Sequence, residues 1–123
     1  GIFGEVPENL PGPLYARKAQ RRAATSGLDV DGIPYEAVEA HVEELRAVEG
    51  DRDARFRAVG DLLFAAVNVA RKLKVDPELA LRAATDRFRA RVERAAELAG
   101  DGWDDLPAER KLQYYAQARL ETE

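Results

Sequence analysis

The chain has 123 residues, of which 46% are hydrophobic and 34% charged, a balance typical of one globular domain. It has no apolar run of roughly 18 residues that could span a bilayer, and its start lacks the features of a secretory signal. The net charge of −4 argues against a general nucleic-acid binder. We therefore expect no nucleic acid as partner and, because no membrane-spanning run is present, no membrane.

Two absences bear on the setting of the protein. Without cysteine there are no disulfides and no thiolate metal sites, which fits a reducing cytoplasm. Without methionine, the sequence is expected to be part of a longer or a processed protein.

Basic residues gather in "ARKAQRR" and "RFRARVER", which form either solvated helix faces or the binding surface of a charged ligand.

In chain order, helix-forming segments alternate with Gly and Pro at intervals suited to helices, and no strand-type alternation occurs. The sequence therefore predicts an all-α bundle of about five helices over 14–123, preceded by a linker or entry segment over 1–13. Asp53 is the predicted N-cap of the third helix, and Asp76 followed by Pro77 starts the fourth. The predicted helices cover 14–26, 34–49, 53–74, 76–99 and 107–120.

The third helix contains "AVGDLLFAAVNVA" (58–70), which is apolar nearly all round and therefore predicts a central helix. A carboxylate in such a segment needs a cation, a metal or good hydrogen bonds, so Asp61 is expected to have a partner. That partner is either an arginine of a neighbouring helix or a metal ion. Asn68 lies two turns further on the same stripe and either holds helices together or orients a water or a sugar hydroxyl.

The second helix supplies "HVEEL", in which Glu44 falls at the edge of the face formed by Val42 and Leu45. Packed beside the third helix, Glu44 and Asp61 could approach each other and share a hard divalent cation. His41 is expected to be a core or helix-edge histidine, because a lone histidine is a poor catalytic signal.

Three segments together resemble the all-α nucleoside triphosphate pyrophosphohydrolases of the MazG type, specifically the C-terminal-like domain of the tandem proteins. The most specific is "GDLLFAAVNVARKL" (60–73), followed by "DPELALRAATDRFRARVERAAE" (76–97), and "LPGPLYARKAQRRAATSGLDV" (10–30) is a weaker match. The resemblance implies hydrolysis of a nucleoside triphosphate to a monophosphate and pyrophosphate, with Mg²⁺ held by acids from two helices.

The family pattern is Glu-Glu-x-x-Glu on one helix and Glu-x-x-Asp on the next. This chain has Glu43 and Glu44, then Ala47 at the last position of the first motif, and Ala58 before Asp61 in the second. Glu43, Glu44 and Asp61 remain as expected metal ligands, and two expected carboxylates are missing. The resemblance therefore implies weakened or lost activity in this domain, and the alternative is a non-catalytic dimerisation or regulatory module that supports an active upstream domain.

Other positions of the resemblance are kept. Arg87 and Arg91 match basic residues that hold the phosphates, and Tyr115 matches an aromatic residue that stacks near the nucleotide. Asn68 is expected to assist catalysis. Family members bury their central helices against a second copy, so a homodimer is expected. Trp103 is expected to anchor a loop rather than to stack on a base.

Overall fold

The structure is a computed structural model that describes residues 1–122. Within these residues the chain forms five α-helices and no β-strand, which confirms the all-α prediction. A 3-10 helix over Gly100–Asp105, which the sequence did not predict, connects the last two helices. None of the helices over residues 1–122 combines the length and the apolar character needed to cross a membrane. The helices are α1 (Gly12–Thr25), α2 (Tyr35–Ala47), α3 (Arg52–Lys72), α4 (Pro77–Ala99) and α5 (Ala108–Glu121).

The helices begin and end within two residues of the predicted positions, but the predicted N-cap of α3 is wrong. Asp51, not Asp53, caps this helix, because Asp51 Oδ1 accepts the backbone N–H groups of Asp53 and Ala54 at 3.0 and 3.2 Å. Both aspartates suit a cap, and periodicity does not choose between them. Asp51 has the extended backbone that places a side-chain oxygen over the first turn, so Asp53 becomes a residue of that turn.

The chain divides into two compact units, Gly1–Ala80 and Leu81–Glu123. In the first unit α3 is the central helix and contacts both α1 and α2. The buried side chain of Gln20 on α1 donates from Nε2 to the carbonyl oxygen of Phe64 at 2.9 Å, which ties α1 to the middle of α3. Whether residue 13 separates an entry segment from the domain stays a prediction.

The two faces of α3 differ in side-chain size. Ala58 and Ala65 are buried, and at about 100° per residue Asp61 and Asn68 lie on the same side of the helix as these alanines. The large apolar residues of the opposite face are exposed: Phe56 by 85%, Leu63 by 62% and Val59 by 42%. The small residues therefore allow close approach inside the unit, and the large ones remain uncovered.

The end of α3 has a lysine where glycine is usual. The Val75 N–H donates to the Ala70 carbonyl at 2.9 Å and the Lys74 N–H donates to the Arg71 carbonyl at 3.0 Å, a pattern that ends helices through a left-handed residue. That residue is Lys74, with φ of 62°. A side chain at such a position costs roughly 1 kcal/mol relative to glycine.

In the second unit α4 and α5 are joined by polar and aromatic contacts. Arg94 Nε donates to Glu121 Oε2 at 2.7 Å, and the rings of Phe88 and Tyr115 lie 5.9 Å apart between centroids. Lys111 Nζ lies 5.5 Å from the ring centroid of Trp103, which belongs to the 3-10 helix. Trp103 thus lies beside the first turn of α5, and its role as a loop anchor stays a prediction.

Candidate functional site

Three side chains from two neighbouring helices bring their ligand atoms together. His41 and Glu44 lie one turn apart on α2, and Asp61 lies on α3. One nitrogen or oxygen from each residue forms a group whose atoms are all within 4.8 Å of one another. His41 and Asp61 are partly buried, whereas Glu44 is exposed. The predicted approach of Glu44 and Asp61 is present, and His41 joins them.

Helix geometry and packing explain this convergence. Residues three apart on a helix are neighbours on its surface, so His41 and Glu44 project together, and Nδ1 of His41 lies 3.0 Å from Oε2 of Glu44. Asp61 lies on the side of α3 that also carries the buried Ala58, and α2 packs against α3. Asp61 therefore lies on the covered side of α3.

The donor set fits a divalent cation. Two carboxylates suit a hard ion such as Mg²⁺, which also keeps several waters. An imidazole nitrogen adds a ligand of the kind that first-row transition ions prefer. Sequence reasoning missed His41 because it judged the histidine alone; the His-x-x-Glu spacing on a predicted helix was the signal that could have found it.

The other positions of the metal motifs lie outside this group. Glu43 is exposed, and its Oε1 lies 3.5 Å from Nε of Arg46. Ala58 is only 6% exposed, whereas Ala47 is exposed at the last residue of α2. A metal role for Glu43 stays a prediction.

Asn68 belongs to a network of hydrogen-bonded polar side chains near the end of α3. Its Oδ1 accepts from Nε of Arg71 at 3.0 Å, and the Arg71 guanidinium donates to both carboxylate oxygens of Asp29, at 2.6 and 3.3 Å. Lys72 Nζ adds a contact of 3.4 Å to the same carboxylate. The hydrogen bonds from Arg71 and from the Val30 backbone hold the pKa of the Asp29 carboxyl well below its usual range. Arg71 therefore fixes the Asn68 oxygen and leaves the amide N–H groups to act as donors.

A cavity of about 240 Å³ adjoins these hydrogen-bonded side chains. Asn68 and Gln20 contribute amide groups to its wall, and Oε1 of Gln20 is buried with no hydrogen-bond partner within residues 1–122. The remaining wall is largely apolar. It is formed by Ala23, Leu28, Val30 and Phe64, with Asp29 and Arg71 at the polar end.

The phosphate and base candidates lie in the second unit. Arg87 is exposed and makes no side-chain hydrogen bond or ion pair to residues 1–122, and Arg91 donates from Nε to Oγ1 of Thr122 at 3.0 Å. The two arginines are four residues apart on α4 and share a face. Tyr115 is partly buried against Phe88. Their nucleotide-binding roles stay predictions.

No model of a protein family matches the chain. Comparison with known proteins finds relatives whose names give the same activity. A protein of Thermotoga maritima named nucleoside triphosphate pyrophosphohydrolase/pyrophosphatase MazG is 37% identical over 123 residues, which cover 95% of this chain and 48% of that protein. The nucleoside triphosphate pyrophosphohydrolase of Escherichia coli K12 is 36% identical over 106 residues, which cover 78% of this chain and 40% of that protein.

The chain thus spans about half the length, or less, of the curated relatives it matches. The identity nevertheless extends over most of this chain, and the helical fold agrees with the predicted resemblance. From this identity and fold we conclude that the chain belongs to the MazG family.

Proposed function

We propose that this domain hydrolyses nucleoside triphosphates to monophosphates and pyrophosphate, at a rate limited by an incomplete metal site. The convergence of His41, Glu44 and Asp61 carries the proposal, because it brings together three donor groups of the kind that bind divalent cations. The names of the Thermotoga maritima and Escherichia coli relatives support the reaction class.

In this proposal Glu44 and Asp61 hold Mg²⁺ and the imidazole of His41 is a third ligand. A bound divalent cation would neutralise phosphate oxygens and lower the pKa of an attacking water. Arg87 and Arg91 bind phosphate oxygens through their guanidinium groups. The Asn68 amide donates to a water or a sugar hydroxyl, and Tyr115 stacks on the base.

The reduced rate follows from Ala47 and Ala58. Each loss of about 1.36 kcal/mol of transition-state stabilisation lowers the rate about tenfold, so two missing carboxylates cost orders of magnitude. His41 compensates for part of this loss by adding a ligand on α2, but it does not replace the negative charge of a carboxylate.

The products test the reaction class. The chain is incubated with each nucleoside triphosphate and Mg²⁺ or Mn²⁺, and the products are separated by ion-exchange chromatography. Equal amounts of monophosphate and pyrophosphate support the proposal. A diphosphate with inorganic phosphate would assign the chain to another class of hydrolase.

A second candidate function is a dimerisation module, and the exposed face of α3 favours it. Phe56, Val59 and Leu63 line a groove with Gly60, and among residues 1–122 no large side chain is fully buried. The rim of this groove carries Arg52, Asp53 and Arg55, so a second copy related by a twofold axis can pair opposite charges across it. We therefore propose a homodimer through α3, which is compatible with either function.

A further inference from the structure

A group of basic side chains surrounds a second cavity, of about 380 Å³, between α1 and the end of α3. Four of its lining residues are cationic and one is a carboxylate, so the lining has a formal charge of four minus one, or +3. We propose that this cavity binds a small anion with more than one phosphoryl group. The lining residues are Arg17, Arg21, Arg71, Lys74, Val75 and Asp76.

Two of the cations are held in place by carboxylates. Arg17 Nη1 lies 3.2 Å from Oδ2 of Asp76, whose other oxygen caps α4 by accepting the backbone N–H groups of Glu78 and Leu79. Arg71 is held by both oxygens of Asp29. The side chains of Arg17 and Arg71 are only 20% and 15% exposed. Their guanidinium groups are therefore ordered before a ligand binds, which reduces the entropy lost on binding.

The other two cations have no partner among residues 1–122. Arg21 and Lys74 are exposed, and neither makes a side-chain hydrogen bond or ion pair with any part of the chain that the structure describes. Lys74 occupies the left-handed position that ends α3, where glycine would fit without strain. Backbone strain of this kind is concentrated at functional sites. A role of the Lys74 ammonium group in anion binding explains why lysine, rather than glycine, occupies this position.

The charge and size of the cavity select the class of ligand. A phosphate monoester has a charge of roughly −1.5 to −2 at pH 7, which leaves part of the +3 lining uncompensated. A second phosphoryl group supplies the missing charge, and guanidinium groups match phosphate oxygens in geometry. The volume of about 380 Å³ is within the usual range for a small-molecule site.

This cavity is separate from the group of His41, Glu44 and Asp61. Arg71 and Asp61 lie ten residues apart on one helix, which corresponds to about 15 Å along its axis. The two sites also have opposite charge, so one suits a cation and the other an anion. Because Arg71 also holds Asn68, which the proposed function uses, the test of this cavity leaves Arg71 unchanged.

The test is calorimetric titration of the intact chain with inorganic pyrophosphate in EDTA, which removes divalent cations. We expect saturable binding that weakens at least about tenfold in the double variant R21Q/K74Q, because two charge-assisted hydrogen bonds are lost. The matched control K18Q/R82Q removes one lysine and one arginine that have no side-chain partner in residues 1–122, and its affinity is expected to stay within about twofold. Asp61→Asn is expected to leave the affinity unchanged.

A single variant separates binding from folding. Lys74→Gly removes the cation and also relieves the backbone strain, so it is expected to weaken pyrophosphate binding without lowering the melting temperature. The proposal is overturned if wild type does not bind pyrophosphate, or if both double variants lose affinity equally. It is also overturned if R87Q/R91Q abolishes binding while R21Q/K74Q retains it, or if a single-stranded oligonucleotide binds more tightly with increasing length.

Discussion

His41 Nδ1 lies 3.0 Å from Oε2 of Glu44, one turn further along α2, and one ligand atom from each of these two residues and one from Asp61 on α3 form a group within 4.8 Å of one another. The pair places an imidazole beside a carboxylate at the position where the family pattern has only acids. This arrangement changes the metal chemistry expected of the site, because nitrogen ligands favour transition ions over Mg²⁺.

Replacing His41 is therefore expected to change metal selectivity. In His41→Gln, we expect the affinity for Co²⁺ to fall about tenfold or more and the affinity for Mg²⁺ to change by less than about threefold, since the lost ligand is a nitrogen. Calorimetry measures both affinities. The sequence contains one histidine, so a signal of imidazole coordination to bound Co²⁺ can come only from His41.

Glu43→Gln is the control for this experiment, because Glu43 lies on the same helix but outside the ligand group. An equal loss of Co²⁺ affinity in both variants would contradict a ligand role for His41.

Restoring the two missing acids is expected to raise turnover. The double variant A47E/A58E should release pyrophosphate at least about tenfold faster than wild type, which corresponds to about 1.4 kcal/mol of transition-state stabilisation. Ala58 is only 6% exposed, so a glutamate there is costly to bury without a cation. The variant should therefore have a lower melting temperature in EDTA than in excess Mn²⁺.

The matched variant A47Q/A58Q has similar side-chain volumes without the charges. If it gains as much turnover as A47E/A58E, the gain does not come from metal ligation.

The exposed apolar face of α3 is expected to bind a second copy of the chain. Leu63→Glu places a charge in the groove formed with Phe56 and Val59, and it should convert a dimer to a monomer. Sedimentation equilibrium measures the change. Leu112→Glu is the control, since Leu112 is similarly exposed, by 67%, but lies on α5. A wild-type monomer at all concentrations would contradict the homodimer.

The Asp29–Arg71 ion pair is expected to make stability depend on pH. The pKa of Asp29 is lowered in the folded state, so its contribution is complete above the unfolded value of about 3.9 and is lost as the pH falls below it. The difference in melting temperature between wild type and Asp29→Asn should therefore be largest at neutral pH and shrink below about pH 4.

Asp31→Asn controls for a simple change in net charge, because Asp31 is exposed and its side chain makes no hydrogen bond or ion pair within residues 1–122. A pH-independent difference between wild type and Asp29→Asn would show that the ion pair does not stabilise the fold.

The sequence predicted the helices well because their signals are local. Asp76 followed by Pro77 begins α4 as predicted, since an N-cap and a fixed φ act within one turn. The choice between Asp51 and Asp53 as the cap of α3 was not predictable, because two acceptable caps lie two residues apart and only the backbone geometry selects one.

The site could be predicted in part. Glu44 and Asp61 could be paired because each lies on a defined stripe of its helix, but the position of His41 depends on how α2 and α3 pack. The apolar pattern of α3 predicted a central helix, yet it did not reveal that Phe56 and Leu63 are exposed while Ala58 and Ala65 are buried. Periodicity gives the angle between residues, but not which face contacts which neighbour.

The most direct test of the proposed function is pyrophosphate release from nucleoside triphosphates by wild type and by Asp61→Asn, measured in Mg²⁺ and in Mn²⁺. Asp61 is the one ligand that α3 contributes to the group, so its loss should abolish release with both ions while leaving the helical content of the chain unchanged. Release by Asp61→Asn at the wild-type rate would contradict the account.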